Sequence, residues 1–127
     1  MIRALTLAIT LSTLVACAAP TSDAGTEYRF RVNELIATLP YSLERVAAAA
    51  DLVVREDMRW SVEDSSVGNA SARIRARGAA DRTRVVAMVA RADGSTEVRI
   101  VVNDGPFGNA ERSREVMDRL EERLAGE

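Results

Sequence analysis

Three pairs of neighbouring carboxylates are the residues of this sequence that could carry acid–base chemistry: Glu56-Asp57, Glu63-Asp64 and Glu121-Glu122. Such pairs can act as a general acid and base or bind calcium, although adjacent acids are more often solvated residues of loops and helix ends. The chain has no histidine, no lysine and one cysteine, so the usual nucleophile systems and zinc sites cannot be built. We therefore expect no enzyme activity, no metal and no cofactor, and a carboxylate-dependent hydrolase is the least favoured alternative.

The N-terminal residues have the composition of an export signal. One positive charge, Arg3, precedes an apolar run over residues 4–16 that only Thr and Ser interrupt, and small residues follow. A charged start, an apolar middle and a small-residue cleavage site are typical of a secretory signal peptide. The run is also shorter than the about 20 residues that span a bilayer. We predict that residues 1–16 are a signal peptide.

The single cysteine, Cys17, ends the tetrapeptide LVAC. This tetrapeptide resembles the lipobox of bacterial lipoproteins, in which the cysteine thiol is lipidated with fatty acids such as palmitate and the chain is cleaved before it. The alternative is ordinary cleavage after Ala18, in the A-x-A pattern of residues 16–18, which would release a soluble secreted or periplasmic ligand-binding domain. Because no second cysteine could form a disulfide, lipidation of Cys17 is the favoured interpretation.

Lipidation would make the membrane the first partner of this protein, since several acyl chains anchor a protein far more firmly than one. Aspartate after the lipidated cysteine is associated with retention in the inner membrane, and here Ala18 follows it. We therefore expect an outer-membrane lipoprotein that faces the periplasm. Residues 17–26 are small and polar, and they predict a flexible tether whose last nine residues reach roughly 30 Å when extended.

The charge balance bears on the possible partners. The chain carries 17 basic residues, all of them arginine, and 19 acidic residues, which gives a net charge of −2. This mild acidity argues against binding to nucleic acid.

Residues 27–127 are predicted to form a single domain. Alternation of Tyr28 and Phe30 with charged residues predicts a strand that continues to about Leu39, with an irregularity near residues 34–35. Ser42 is a helix cap before residues 43–56, and Asn109 caps a second helix that ends the chain. Four further strands are expected between the helices: one around residues 60–63, before a turn at residues 67–69, and three around residues 72–77, 82–91 and 96–102.

These elements predict an α+β fold. It is a two-layer sandwich, with an antiparallel sheet of about five strands, two helices packed on one face, and the order β-α-β-β-β-β-α. If Asp93-Gly94 is a two-residue turn, Val85 pairs with Val102 on the neighbouring strand. If residues 78–81 form the loop before it, Ile74 pairs with Val85 on the other side. Both hairpins then place apolar side chains on the same face.

The same register predicts an arginine-rich face on the other side of the sheet, with Arg77 opposite Arg82 and Arg75 opposite Arg84. The candidate residues for binding an anionic surface or a partner are Arg73, Arg75, Arg77, Arg82, Arg84 and Arg99. Val86, Met88 and Val101 are expected near the centre of this face. Like charges across a sheet and an exposed apolar centre are both unfavourable, so lipid phosphates, an anionic envelope polymer or an envelope protein could cover the face. The alternative is a solvated face whose arginine stems lie over the valines.

The C-terminal half carries a recognisable pattern of glycines and branched residues. It runs through Asp93-Gly94-x-Thr96-x-Val98-x-Ile100-x-Val102, then Gly105-x-Phe107-Gly108-Asn109, then Ser113-Arg114-x-Val116. The pattern, together with the lipobox and the Tyr28 strand, resembles a family of small bacterial lipoproteins that is known as domain of unknown function 3568. Asn109 replaces the expected aspartate but keeps its capping role. The resemblance implies fold and location but no activity. We expect a membrane-anchored, periplasm-facing, non-catalytic accessory or binding module of the cell envelope.

Overall fold

The structure, a computed structural model, describes residues 26–31, 33–78, 82–103 and 109–126. The predicted signal peptide, Cys17, the tether as far as residue 25 and the motif at residues 105–108 lie outside the described residues. The strands are β1 (Tyr28–Arg31), β2 (Glu34–Leu39), β3 (Ser61–Val67), β4 (Ser71–Arg77), β5 (Thr83–Ala90) and β6 (Thr96–Val102). The helices are α1 (Leu43–Leu52) and α2 (Ala110–Ala125), and a π-helical segment, Val53–Asp57, continues α1.

The described strands form one antiparallel sheet in the order β1-β2-β6-β5-β4-β3. Helix α1 packs on β4 and β5, α2 packs on β2 and β6, and the two helices also contact each other. Both helices therefore cover the same face of the sheet. The predicted α+β class and element order are confirmed, with six strands where about five were expected.

The additional strand comes from the first predicted strand, which is a hairpin. The chain reverses direction between Arg31 and Glu34, so that Tyr28 pairs with Ala37 and Arg31 pairs with Glu34. Asn33 lies in the turn, where its side chain type is favoured. The irregularity expected near residues 34–35 is therefore the start of a new strand.

Both predicted helix caps are confirmed. Before α1, the backbone amide of Arg45 donates a hydrogen bond to Ser42 Oγ at 3.3 Å. Before α2, the backbone amide of Arg112 donates to Asn109 Oδ1 at 2.9 Å. Each cap satisfies a backbone donor that the first helical turn leaves free.

The core lies between the helices and the face of the sheet that they cover. Its members include Leu35, Ile100, Val46 and Leu120, all with no exposed surface. Every residue of this core cluster lies between Tyr28 and Leu124. A chain that begins at residue 18 therefore retains every residue of this cluster, and we expect it to fold without residues 1–17.

The predicted pairing of β5 is wrong by one residue on both sides. On the β6 side, Val86 pairs with Ile100. The Arg91 amide donates a hydrogen bond to the Ser95 carbonyl at 2.9 Å, which closes a loop of three residues, 92–94, between β5 and β6 instead of the predicted two. Gly94, with φ of +86°, supplies the left-handed conformation that closes such a loop. Residue 92 therefore belongs to the loop instead of the strand.

The loop at the other end of β5 is also one residue longer than predicted. Arg77 pairs with Thr83, and residues 78–82 connect the two strands. A shift of one residue turns every side chain of a strand to the opposite face. Strands β4 and β6 keep their predicted faces, whereas in β5 the core receives Arg84, Val86 and Met88 in place of Val85 and Ala87.

Candidate functional site

The candidate site is the side of the sheet that faces away from the helices, which we call the outer face. None of the described elements packs on it. The strand pairing places most of its side chains in three rows, of which two cross the sheet from β1 to β3 and one runs from β2 to β4, while Thr83, Arg77 and Ser61 lie in line beyond the first row. The first row is Arg31, Glu34, Val101, Val85, Arg75 and Asp64; the second row is Arg29, Ile36, Arg99, Ala87, Arg73 and Ser66. The third row, which starts at β2, is Thr38, Glu97, Val89 and Ser71.

The middle of the outer face is apolar. Val85, Ala87 and Val89 from β5 and Val101 from β6 form a strip, which we call the central strip. Val89 is 47% exposed, and the other three side chains are half-buried. The prediction for Val101 is confirmed, but Val86 and Met88 lie in the core, because β5 is turned by the shift in register.

The predicted arginines divide between two environments. Arg73, Arg75 and Arg77 on β4 and Arg99 on β6 lie on the outer face, on opposite sides of the central strip. Arg75 faces Val85 and Arg77 faces Thr83, so the expected stacking of like charges across β4 and β5 is wrong. Arg82 is exposed just before β5.

The predicted position of Arg84 on the outer face is wrong. Its side chain points to the helix side of the sheet and is only 5% exposed. Its guanidinium lies 5.2 Å from the centre of the Trp60 ring, and its Nη1 donates to the Arg82 carbonyl at 3.0 Å. Gly78 leaves room for it, since a Cβ there would collide with the guanidinium. Arg84 is therefore a structural residue and does not belong to the outer face.

Most outer-face carboxylates pair with arginines of the same face. Glu63, at a bulge in β3, pairs with both Arg75 and Arg77. Arg99 Nε lies 2.9 Å from Glu97 Oε1, and its Nη1 lies 3.6 Å from Glu34 Oε2. The arginine side chains in these pairs are about half exposed. A large part of each arginine side chain therefore remains accessible to a partner.

Other charges of the outer face are available to a partner. Arg31, Arg73 and Asp64 are exposed, and they form no ion pair with any residue that the structure describes. Arg31 and Asp64 lie at opposite edges of the sheet, on β1 and β3.

The sequence predicts the arginines of β4 and β6 but not the part of the outer face that β1 and β2 contribute. The alternation of Tyr28 and Phe30 with Arg29 and Arg31 is the signal that could have located it. A single strand over residues 28–39, as predicted, contains no pairing of Arg31 with Glu34, because that pairing requires the chain to reverse direction.

The carboxylate pairs are engaged in ways that differ from an acid–base site. Asp57 and Glu56 both bind Arg123 of α2, and the hydrogen bonds from Arg123 hold the pKa of Asp57 below its usual value. Glu121 is buried and accepts a hydrogen bond from Thr26 Oγ1 at 3.2 Å, whereas Glu122 is exposed. Glu56, Asp57 and Glu121 therefore connect separate segments of the fold, whereas Glu122 and Asp64 are exposed.

A depression of about 490 Å3 lies at the β1 side of the outer face, and Arg29, Ile36, Thr38, Arg91 and Glu97 contribute to its lining. Its rim is open and mostly charged. Such a surface differs from the concave, largely apolar sites that enclose small molecules.

Two properties of the described part of the chain concern metal binding and membrane crossing. Within it, no three carboxylate or cysteine side chains come close enough together to bind a metal ion. Neither helix within these residues has the length and apolar character needed to cross a membrane.

The fold and the outer face define a small α+β protein with an exposed sheet face. Residues 1–123 match a family described as "Protein of unknown function (DUF3568)". The chain belongs to this family. No curated protein matches the chain.

Proposed function

We propose that this protein is a lipoprotein of the bacterial cell envelope, anchored through Cys17 and facing the periplasm, that acts as a non-catalytic accessory or binding module. The sequence around Cys17 supports the anchor. The binding role rests on one observation: an apolar strip on an uncovered sheet face, bordered by accessible arginines.

The arrangement of the outer face supports binding more than catalysis. Val89 is the most exposed side chain of the central strip, and it lies beside Glu97, which Arg91 and Arg99 both contact. Contiguous apolar surface with a charged rim is typical of interaction sites. Paired carboxylates with lowered pKa, such as Asp57, are poor general acids at neutral pH.

The outer membrane is the proposed location because Ala18 follows the cysteine. The tether of residues 17–26 would keep the domain within roughly 30 Å of the lipid surface. A binding module in this position would act on partners in or next to the membrane.

The test is fractionation of the host's membranes with two variants. We expect the parent protein in the outer membrane and Cys17→Ala absent from it, because the variant cannot be lipidated. Ala18→Asp keeps the cysteine, and we expect this variant to move to the inner membrane. Equal distribution of the parent and Cys17→Ala, or a soluble parent cleaved after Ala18, would disprove the anchor.

A further inference from the structure

The outer face has a pattern of charges that is complementary to itself. In the first row, from β1 to β3, the side chains are Arg31, Glu34, Val101, Val85, Arg75 and Asp64. Counted from opposite ends of the row, Arg31 corresponds to Asp64, and Glu34 corresponds to Arg75. The two valines occupy the two central positions.

This pattern matters because the midpoint of the row is also the midpoint of the sheet. Strands β6 and β5 are the third and fourth of the six strands. A twofold axis parallel to the strands, placed between β5 and β6, would bring a second copy's outer face onto this one. Each residue would then lie opposite the residue at the mirrored position in the same row.

In that arrangement the first row forms only favourable contacts. Val85 lies opposite Val101 of the second copy, and Arg75 lies opposite the second copy's Glu34. Arg31 and Asp64, which pair with no described residue of their own chain, lie opposite each other at the rim. Symmetry repeats each of these contacts, as in an isologous dimer.

The other two rows are compatible with the same axis. In the second row, the stem of Arg99 lies over Ala87 of the second copy, and Arg73 lies opposite the second copy's Ile36, which its own chain already buries. Arginine stems commonly cover apolar surface in this way. In the third row, Thr38 lies opposite Ser71 of the second copy, so that none of the three rows places like charges against each other.

A twofold axis across the strands gives the opposite result. With that axis along the second row, Arg73 lies against Arg73 of the second copy, and Arg99 lies against the second copy's Arg99. Like charges brought together in an interface are strongly unfavourable. The charges therefore select the axis parallel to the strands.

We propose that the outer face binds a second copy of this chain, so that two sheets pack face to face about an axis that runs between β5 and β6. Packed sheets of this kind keep their strands roughly aligned. This proposal rests on the proposed function in one respect, namely that the outer face is a binding surface. It adds that the partner bound there is a second copy of the chain.

A second copy accounts for the outer face better than an anionic lipid surface does. Lipid phosphates would attract Arg73 and Arg75 but would repel Glu34, Asp64 and Glu97, which share the same face. A second copy uses both signs of charge. The acids therefore favour a protein partner whose charge pattern is the reverse of this one.

The size of the outer face is consistent with a reversible dimer. Six strands of about seven residues make a surface of roughly 600 Å2 on each copy. This is at the lower end of specific interfaces, which bury about 800 Å2 on each partner. Confinement of the anchored protein to a membrane would raise its effective concentration and favour the dimer.

The experiment measures the mass of residues 18–127 in solution by sedimentation equilibrium over a series of concentrations up to the millimolar range. We expect a monomer–dimer equilibrium. Val89→Glu places a carboxylate opposite Glu97 of the second copy, twice per dimer, and should raise the dissociation constant about tenfold or more. Val67→Glu is the matched control, because Val67 is 61% exposed and points away from the outer face.

A charge exchange tests the register. Glu34→Arg or Arg75→Glu alone should weaken the dimer about tenfold, and the two together should restore it to within about threefold of the parent. The two residues lie three strands apart in one chain, a separation of about 14 Å, so they can form an ion pair only between copies. Circular dichroism identifies any variant that fails to fold. If a charge-exchange variant fails to fold, the effect of Val89→Glu on the dissociation constant tests the dimer instead.

A parent that stays monomeric throughout the series, or a dimer that Val89→Glu leaves unchanged, would overturn the proposal. A monomer that instead sediments with vesicles of anionic phospholipid would assign the outer face to lipid and also overturn it. The test is independent of the anchor, since the chain used has no Cys17. An unmodified Cys17 in the host would therefore remove the anchor and its effect on local concentration, but it would leave the dissociation constant measured in solution unchanged.

Discussion

Arg123 of α2 binds Asp57 through both ends of its guanidinium group. Its Nε lies 2.8 Å from Asp57 Oδ2, and its Nη2 lies 2.7 Å from Oδ1. The same Nη2 lies 3.2 Å from Glu56 Oε2. This two-point contact joins the end of α2 to the π-helical segment after α1, and it raises the pKa of Arg123 while lowering that of Asp57.

Replacing the carboxylate should weaken the link between the two helices. We expect Asp57→Asn to lower the free energy of unfolding by about 1 kcal/mol, because it removes a partly buried, two-point ion pair. Urea denaturation measures this change. Asp51→Asn is the control, since Asp51 pairs with Arg55 on the exposed side of α1 and should cost no more than about 0.5 kcal/mol.

The same pair predicts a dependence of stability on pH. Hydrogen bonds from Arg123 place the pKa of folded Asp57 below its unfolded value of 3.8. The stabilisation of the folded protein by the Asp57–Arg123 ion pair is therefore complete above the pKa of unfolded Asp57. It is lost as the pH falls through the pKa of folded Asp57. We expect the stability difference between the parent and Asp57→Asn to be constant near neutral pH and to shrink below about pH 4. A difference that grows on acidification would contradict this assignment.

The position of Arg84 can be tested with the single tryptophan. Arg84→Ala should lower the free energy of unfolding by about 2–3 kcal/mol, because it removes a buried side chain that packs on Trp60. The emission of Trp60 should also shift to the red as the ring becomes more exposed. Arg82→Ala is the matched control on the exposed neighbour and should change stability by less than about 0.5 kcal/mol. Equal effects of the two variants would place Arg84 on the surface.

The loop between β5 and β6 gives a test of the left-handed backbone conformation of Gly94. Gly94 has a φ of +86°, and no atom lies within 4 Å of the position where its Cβ would be. Gly94→Ala should therefore lower the free energy of unfolding by about 1–2 kcal/mol through backbone strain alone. Gly126→Ala, at the end of α2, has a φ of −85° and should be nearly neutral. Thermal denaturation of both variants distinguishes this loop from one that tolerates alanine.

The fold could be predicted wherever the sequence pattern differs clearly between the two faces of an element. Strand β4 alternates alanine and isoleucine with arginine, and its faces are as predicted. Ser42 and Asn109 were recognisable caps because their side chains accept from the first helical turn. In these cases local chemistry and tertiary packing favour the same conformation.

Strand β5 shows why the rest could not be predicted. Its residues 85–89 are all apolar, so the pattern does not distinguish the core face from the outer face. The faces then depend on loop length, and the Asp93 carboxylate stabilises the longer loop by accepting a hydrogen bond from the Ser95 amide at 2.9 Å. Burial of Arg84 beside Trp60 is a tertiary contact that no local pattern indicates.

The candidate site was predictable to the same extent. Arg73, Arg75, Arg77 and Arg99 follow from the alternation in β4 and β6. The opposing carboxylate of Glu34 depends on the hairpin of β1 and β2, and the central strip depends on the register of β5. The complementary charge pattern emerges only when all six strands are in place.

The anchor is the central claim, and the mass of the intact protein purified from the membranes of its host tests it most directly. We expect a chain that begins at Cys17 and carries fatty acyl groups on that residue. A chain that begins after Ala18, or one in which the Cys17 thiol is unmodified, would contradict the claim.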